Sequence, residues 1–273
     1  MEARKIASLV EFSEARAYRS LVQAAPAAFL DQHGFRATMF GSAVAVVAPS
    51  VTNTLNLNRV IGLGVDEPAS PEMLDAIASL YGQHGVPYGI ELAPCAQPRE
   101  LPNWLRQRRL RRTIGTAMIF RAAEAVPRYS GPVAVVRACG EEQEIVADIC
   151  CTVFRMPPVV RTLIANLGGY AGWRQWLAYL GPKPVASALS YVCDGVAWLG
   201  WDATLPEYRG QGCQTVLIAH RIKDAADTGC RYITTETSIN TTTRRDPSYQ
   251  NYEKMGFLFA YERATYVALR SAS

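Results

Sequence analysis

The residues best suited to chemistry lie between Asp202 and Ile218, where the chain reads D-A-T-L-P-E-Y-R-G-Q-G-C-Q-T-V-L-I. A buried, strand-like segment enters this stretch and an amphipathic helical pattern leaves it. A strand, a glycine-containing loop and a helix start in that order build an anion site. Glycines at 210 and 212 let the main chain approach a phosphate closely, and the unpaired N–H groups of the first helical turn, with the helix dipole, point at it. Arg209 adds a fixed positive charge. The same glycines would equally serve a strand-to-helix bend that binds nothing. Two nucleotide-binding patterns are excluded: G-x-G-x-x-G fails because Thr215 stands at the third glycine position, and no G-K-S or G-K-T follows.

Cys213 sits inside this loop, and a helix N-terminus would lower its pKa toward that of a nucleophile. Neither His33, His84 nor His220 is placed by sequence to serve as its base, and His220 falls on the following helix, where a surface position is expected. The seven cysteines, at 95, 139, 150, 151, 193, 213 and 230, form no C-x-x-C pair and have no histidine at metal-ligand spacing. They are expected to be reduced thiols of a cytoplasmic protein that holds no metal.

Taken with T-V-L-I, the segment P-E-Y-R-G-Q-G-C-Q resembles the acyl-CoA signature of the GNAT superfamily of N-acetyltransferases: Arg or Gln, two residues, Gly, any residue, then Gly or Ala. Arg209 and Gly212 match it. Gln214 departs from the small residue at the last position and resembles a variant among bacterial members. Further on, Tyr252-Glu253-Lys254-Met255-Gly256-Phe257 resembles the late Y-E-K-L-G-F element of the same superfamily, and Ser248 and Asn251 resemble polar positions beside the cofactor. The resemblance covers Val133 to Leu269.

This resemblance implies direct transfer of an acetyl group from acetyl-CoA to a primary amine, with no covalent intermediate. Asp202, Ala203 and Thr204 would hold the pantetheine arm. Arg209, Gly210, Gln211, Gly212, Cys213 and Gln214 would cradle the pyrophosphate, with Ser248 and Asn251 nearby. Tyr252 would be the general acid, as a phenol of near-normal pKa, and Glu236 or Asp202 the base, directly or through water. Two other functions are carried as alternatives: a CoA-binding sensor that has lost transfer, and a tRNA-dependent aminoacyl transferase. The acceptor is expected to be a small-molecule or peptide amine, with no nucleic-acid or membrane partner; a homodimer is left open.

Elements must position these residues. In the second half the patterns predict a strand at Val133 to Arg137, a helix at Glu141 to Phe154 and a helical region from Val159 to Tyr179 that includes Trp173 and Trp176. A hairpin of Pro184 to Val192 and Val196 to Ala203 turns at Asp194-Gly195. A helix at Thr215 to Thr228, a strand at Tyr232 to Glu236, a helix at Tyr249 to Met255 and a last strand at Phe257 to Leu269 complete it. The first half predicts a helix from Leu9 to Leu30, strands at Ala43 to Ala48 and Asn58 to Val65, a helix from Ser70-Pro71 to His84, a strand at Tyr88 to Ala93, a short helix at Leu101 to Arg109, and an apolar stretch at Ile114 to Phe120.

The two halves share a coarse element order. The fold class is therefore α/β with a mixed sheet, and the resemblance makes it the GNAT acyl-CoA N-acyltransferase fold in two tandem GNAT-like halves. Residues 1–127 form a degenerate half without a CoA loop, residues 128–273 the transferase half, and the turn-rich P-R-Y-S-G-P marks the boundary. Trp104-Leu105-Arg106-Gln107-Arg108-Arg109-Leu110 stands roughly where Y-E-K-L-G-F would be. A length of 273 residues and a net charge of +4 suit two ordinary globular domains and imply no polyanionic partner. The arginines at 106, 108, 109, 111 and 112 are read as a solvated helix face. No apolar run approaches the roughly 20 residues that span a bilayer, and the N-terminus lacks the apolar core of a signal peptide.

Overall fold

The computed structural model describes residues 3–52, 54–124, 131–240 and 245–268. Two compact units emerge, one of residues 1–118 with 260–273 and one of residues 119–259. The boundary expected between residues 127 and 128 lies outside the described residues.

In the first unit α1 (Ala3–Gln23) and α2 (Ala27–His33) replace the one helix expected from Leu9 to Leu30. Pro26 separates them, since its ring cannot continue a helix from the preceding turn. The strands run β1 (Arg36–Phe40), β2 (Ala43–Val47), β3 (Arg59–Ile61) and β4 (Gly89–Leu92), in that spatial order. Pairing is antiparallel from β1 to β3 and parallel between β3 and β4. The helix α3 (Pro71–His84) connects β3 to β4, capped by Ser70, whose hydroxyl accepts from the Met73 N–H. The short helix α4 (Leu101–Gln107) and the strand β5 (Leu110–Arg112) follow.

The last strand of the chain, β12 (Leu258–Ala268), pairs through Ala264–Val267 with β4 and through Tyr266–Ala268 with β5. The first unit thus takes its closing strand from the far end of the sequence. One face of its sheet packs Val60, Leu63, Ile77, Ile90 and Leu101 into an apolar core. The other face meets α1 through a buried ion network. Glu14 pairs with Arg59 at 2.7 Å and with Arg263 at 2.5 Å, Glu91 lies 3.7 Å from Arg59 and 3.5 Å from Arg263, and Tyr261 donates to Glu11 at 2.8 Å.

The strand expected at Asn58 to Val65 stops at Ile61. Gly62 and Gly64, both at positive φ, turn the chain out of the sheet. The first unit therefore does have a glycine loop between strand and helix, and α1 lies against it. The Ser8 hydroxyl donates to Asp66 in that loop, Arg4 donates to the Val65 carbonyl, and Glu72 stands in the first turn of α3.

In the second unit the spatial order is β6 (Thr116–Ala122), β11 (Tyr232–Ser238), β10 (Val196–Thr204), β9 (Lys183–Cys193), β8 (Trp173–Leu180) and β7 (Val133–Arg137). The helical region expected from Val159 to Tyr179 is instead α6 (Pro158–Ala165), a 3-10 turn and then β8. The pattern W-R-Q-W-L-A-Y-L is apolar at both helical and strand spacing, and antiparallel pairing with β7 and β9 on its two sides decides for the strand. The helix α5 (Glu142–Phe154) precedes α6; α7 (Cys213–Asp227) joins β10 to β11, and α8 (Pro247–Lys254) leads to β12. The hairpin turn has Asp194 at φ 49° and Gly195 at φ 74°, the left-handed pair of a type I′ turn.

The unit pattern repeats. In each, a strand, a glycine loop, a helix, a parallel strand and a short helix lead to a turn at positive φ; Arg109 (φ 63°) occupies that turn in the first unit and Gly256 (φ 78°) in the second. The arginine run is not one helix face: Arg106 ends α4, Arg108 is held by Asp75 at 2.7 Å, and Arg111 and Arg112 lie exposed on β5. No helix among the described residues is long and apolar enough to cross a membrane.

The network of the first unit makes a direct prediction. Glu14→Ala leaves Arg59 and Arg263 buried without their central carboxylate and should cost roughly 3–5 kcal/mol, read as a lowered denaturant midpoint; a loss under about 1 kcal/mol would show that water replaces the carboxylate.

Candidate active site

The strand β10 pairs in parallel with β11 at only three positions, Val196↔Tyr232, Ala197↔Ile233 and Trp198↔Thr234. Both strands continue, to Thr204 and Ser238, with no further pairing between them among the described residues. The cause lies in β10, where the register against β9 shifts between Gly200 and Ala203 and Trp201 adopts φ 57°. A left-handed, bulky residue at such a shift is a β-bulge, and it bends its strand away from one neighbour. Ala203 and Thr204 stay paired with Ser187 and Ala186 of β9, so β10 parts from β11 alone. The result is a wedge whose β10 side carries main-chain groups that no ladder uses.

Three contacts hold the bulge. The Cys150 thiol of α5 donates to the Trp201 carbonyl at 3.6 Å and lies 3.4 Å from the Ser187 hydroxyl. The Trp201 ring meets Phe154 edge to face at 5.7 Å. Gly200 has no side chain because the Trp198 ring lies across it, and a Cβ there would fall among the ring atoms.

Beyond Thr204 a 3-10 turn (Pro206–Tyr208) leads to Arg209, Gly210, Gln211 and Gly212, and α7 begins at Cys213. Arg209, Gly210 and Gln211 are exposed. Gly210 and Gly212 sit at φ 78° and 81°, where a side chain would be strained, and a Cβ on Gly210 would meet nothing within 4 Å. The first helical bond of α7 runs from the Val216 N–H to the Gly212 carbonyl, and no side chain caps the helix. The N–H groups of its first turn thus point into an open loop beside Arg209, whose Nε donates to the Thr204 carbonyl at 3.4 Å. Those features fit a pyrophosphate.

Cys213 does not share that openness. Its side chain is buried with Trp176, Val216 and Leu217, and burial raises its thiol pKa despite the helix start. It faces the core rather than an anion. His220 bonds through Nδ1 to the Val216 carbonyl on its own helix at 3.0 Å.

Asp202 lies at the centre of a buried cluster. Its Oδ1 meets Arg221 Nη1 at 2.6 Å, and its Oδ2 accepts from the Tyr252 hydroxyl at 2.6 Å and from Gln214 Nε2 at 3.1 Å. Arg221, fully buried on α7, also donates to the carbonyls of Leu217 and Leu189 and to the Tyr252 oxygen. Burial is the largest single influence and works against its charge, but Asp202 and Tyr252 together outweigh it and the net pKa shift is upward. This residue had no signal in the sequence beyond a charge at a position where α7 is otherwise apolar.

Two expectations change here. Tyr252 was expected as a phenol of near-normal acidity. It is instead 2% exposed, with its proton on Asp202 and its pKa raised by burial and then by that carboxylate. A phenol so weakened and so committed is a poor donor to a leaving thiolate. Asp202, with three donors on it, is an anchor rather than a free base. Ser248 and Asn251 also turn out to face the protein: Gln214 donates to Ser248 Oγ at 2.8 Å, and Asn251 Nδ2 donates to Gln214 Oε1 at 2.8 Å. Glu236 lies half-buried on the part of β11 that has left β10.

Two predictions follow the cluster and the bulge. Asp202→Ala strands a buried guanidinium and should cost roughly 3–5 kcal/mol in equilibrium unfolding, while Asp202→Asn, which still accepts hydrogen bonds, should cost less. Cys150 has its pKa pushed from 9.0 to about 12 by burial. Its contribution is therefore fully present below pH 9 and lost as pH rises toward 12, because the unfolded thiol ionises first. Melting of Cys150→Ser between pH 8 and 11 should fall less steeply than that of the wild type; identical slopes would refute the burial argument.

Known proteins can now be set beside this geometry. The sequence model of the acetyltransferase (GNAT) domain matches residues 152–235, which span the wedge and the loop. No curated protein matches the sequence. Among solved structures, a GCN5-related N-acetyltransferase from Kribbella flavida is similar over 97% of this chain and 95% of its own, with TM-score 0.64 and 18% identity. Another, from Sphaerobacter thermophilus, is similar over 83% and 80%, with TM-score 0.58 and 14% identity. A tandem GNAT protein from the clavulanic acid biosynthesis pathway covers 79% of this chain and 75% of its own, with TM-score 0.56 and 15% identity. Residues 152–235 of the second unit thus match a GNAT acetyltransferase domain, and the chain shares the fold of these GNAT proteins along its length.

Proposed function

We propose that the second unit transfers an acetyl group from acetyl-CoA directly to a primary amine of a small molecule or peptide. The observation that carries this reading is the wedge between β10 and β11, set beside a glycine loop that ends in an uncapped helix. Acetyl-CoA would supply an activated carbonyl on a thiol leaving group. The Arg209–Gly212 loop and the first turn of α7 would hold its pyrophosphate, and the free main-chain edge of β10 at Ala203 and Thr204 would align its arm and polarise the carbonyl.

In the transfer the amine nitrogen attacks the carbonyl carbon, the carbon–sulfur bond breaks, and the proton shed by nitrogen passes to sulfur or to water. The nitrogen of the adduct is acidic enough to protonate a thiolate itself, so no protein acid is needed. Glu236, on the part of β11 that has left β10, would take a proton from the incoming ammonium through water. Asp202 and Tyr252 keep the strand and α7 in register. The second unit's glycine loop itself carries Arg209, whereas the first unit's carries Asp66 and Glu67, which supports one acetyl-CoA per chain. Seven thiols with no disulfide among the described residues fit a reducing compartment such as the cytoplasm.

A second reading, a CoA-binding module without transfer, is favoured by the same cluster, because it commits the Tyr252 hydroxyl to Asp202. Calorimetric titration of acetyl-CoA and assay of thiol release across a panel of amines separate the two. Binding at one site per chain, weakened roughly tenfold or more by Gly212→Glu and by the packing-neutral Arg209→Glu, establishes the site, and amine-dependent thiol release establishes transfer. Absence of binding by the wild type would overturn both readings.

A further inference from the structure

Gln214 stands where the acyl-CoA signature has a small residue, yet its side chain does not enter the loop. Both amide hydrogens are committed within the protein, to Asp202 Oδ2 at 3.1 Å and Ser248 Oγ at 2.8 Å, and its oxygen accepts from Asn251 Nδ2 at 2.8 Å. It thereby joins the second residue of α7 to β10 immediately after the left-handed Trp201, and to two residues of α8. Asp202 is in turn fixed by Arg221 from α7 and Tyr252 from α8, so three elements converge on one carboxylate.

We infer that Gln214 is a positioning residue that registers the pyrophosphate loop against the β10 bulge, resting on the acyltransfer reading above. The loop and the bulge are separate pieces of backbone joined by the exposed segment Pro206–Gln211. Without a rigid link, a ligand anchored at the loop would carry its carbonyl to a variable place along β10. Gln214 supplies that link from the helix side, parallel to the covalent one. Its contribution therefore lies in where a bound thioester sits rather than in how tightly it is held.

The test compares Gln214→Ala and Gln214→Glu with the wild type in acetyl-CoA titration and thiol release, with the best amine of the panel or water as acceptor. For Gln214→Ala, kcat should fall roughly tenfold or more, while the acetyl-CoA Kd should change by less than about threefold. Gln214→Glu places a second carboxylate against Asp202, with Arg221 and Tyr252 the other charged or titratable groups facing it. Near pH 8.5 the two carboxylates repel and the link is broken. As the pH falls the introduced carboxyl takes up a proton and offers one O–H to Asp202 and one C=O to Asn251, two of the amide's three bonds, and activity relative to wild type should recover in part by about pH 6. Gln214→Ala, which has nothing to titrate, should show no such recovery, and melting curves at both pH values check that each variant is folded.

A Gln214→Ala enzyme with weakened Kd and unchanged kcat would make Gln214 a direct ligand and overturn the inference. A folded Gln214→Glu that stays equally impaired at both pH values would also overturn it. Failure of the wild type to bind acetyl-CoA would instead remove the acyltransfer reading itself, and this inference with it.

Discussion

Beyond Trp198, β10 cannot stay paired with β11, because the left-handed backbone at Trp201 turns the next peptide groups out of the parallel ladder while β9 still holds Ala203 and Thr204. Everything at the candidate site follows from that one local strain. It opens the wedge, frees main-chain donors and acceptors, and swings Asp202 toward α7. A strained bulky residue persists only where its surroundings over-determine it. Here the Cys150 thiol, the edge of Phe154 and the pairing with β9 do so.

The buried pair of Asp202 and Arg221 sets the helix against that strained strand. Taking both charges out of water is costly, and the cost is offset by the partners each finds: Arg221 reaches Tyr252 and two carbonyls and pairs with Asp202 Oδ1, and Asp202 Oδ2 accepts two hydrogen bonds. Such a cluster adds little net stability over an apolar one of the same shape. It does exclude other registers, since any slip of α7 would leave a guanidinium or a carboxylate alone in the core. Precise placement of a helix N-terminus beside a bent strand is what an anion loop feeding a wedge requires.

The first unit repeats the topology with different physics. Its parallel strands β3 and β4 carry Arg59 and Glu91, and the acidic face of α1 together with Arg263 of the closing strand completes a network of three carboxylates and two guanidinia. Its glycine loop is bound by Ser8 and Arg4 of α1 and bears Asp66 and Glu67. The same frame opens a wedge beside a glycine loop in one unit and holds a buried ion network in the other.

What the sequence by itself determined was local chemistry. The Gly210–Gly212 loop, the Asp194-Gly195 turn, the Ser70 cap with Pro71 and the Y-E-K-M-G-F helix end were legible because their backbone conformations depend on residue types within a few positions. The helix misread at Trp173–Tyr179 had two compatible periodicities, and only strands on both sides chose between them. Tertiary structure alone decided which way the polar side chains face. Gln214, Ser248, Asn251 and Tyr252 were read as facing a ligand, and they face Asp202 and one another instead. Tyr252 stands 50 residues along the chain from Asp202, and its acidity is set by the water that folding removes and by that carboxylate. Desolvation and long-range pairing are properties of the packed chain, so no spacing of residue types could have announced them.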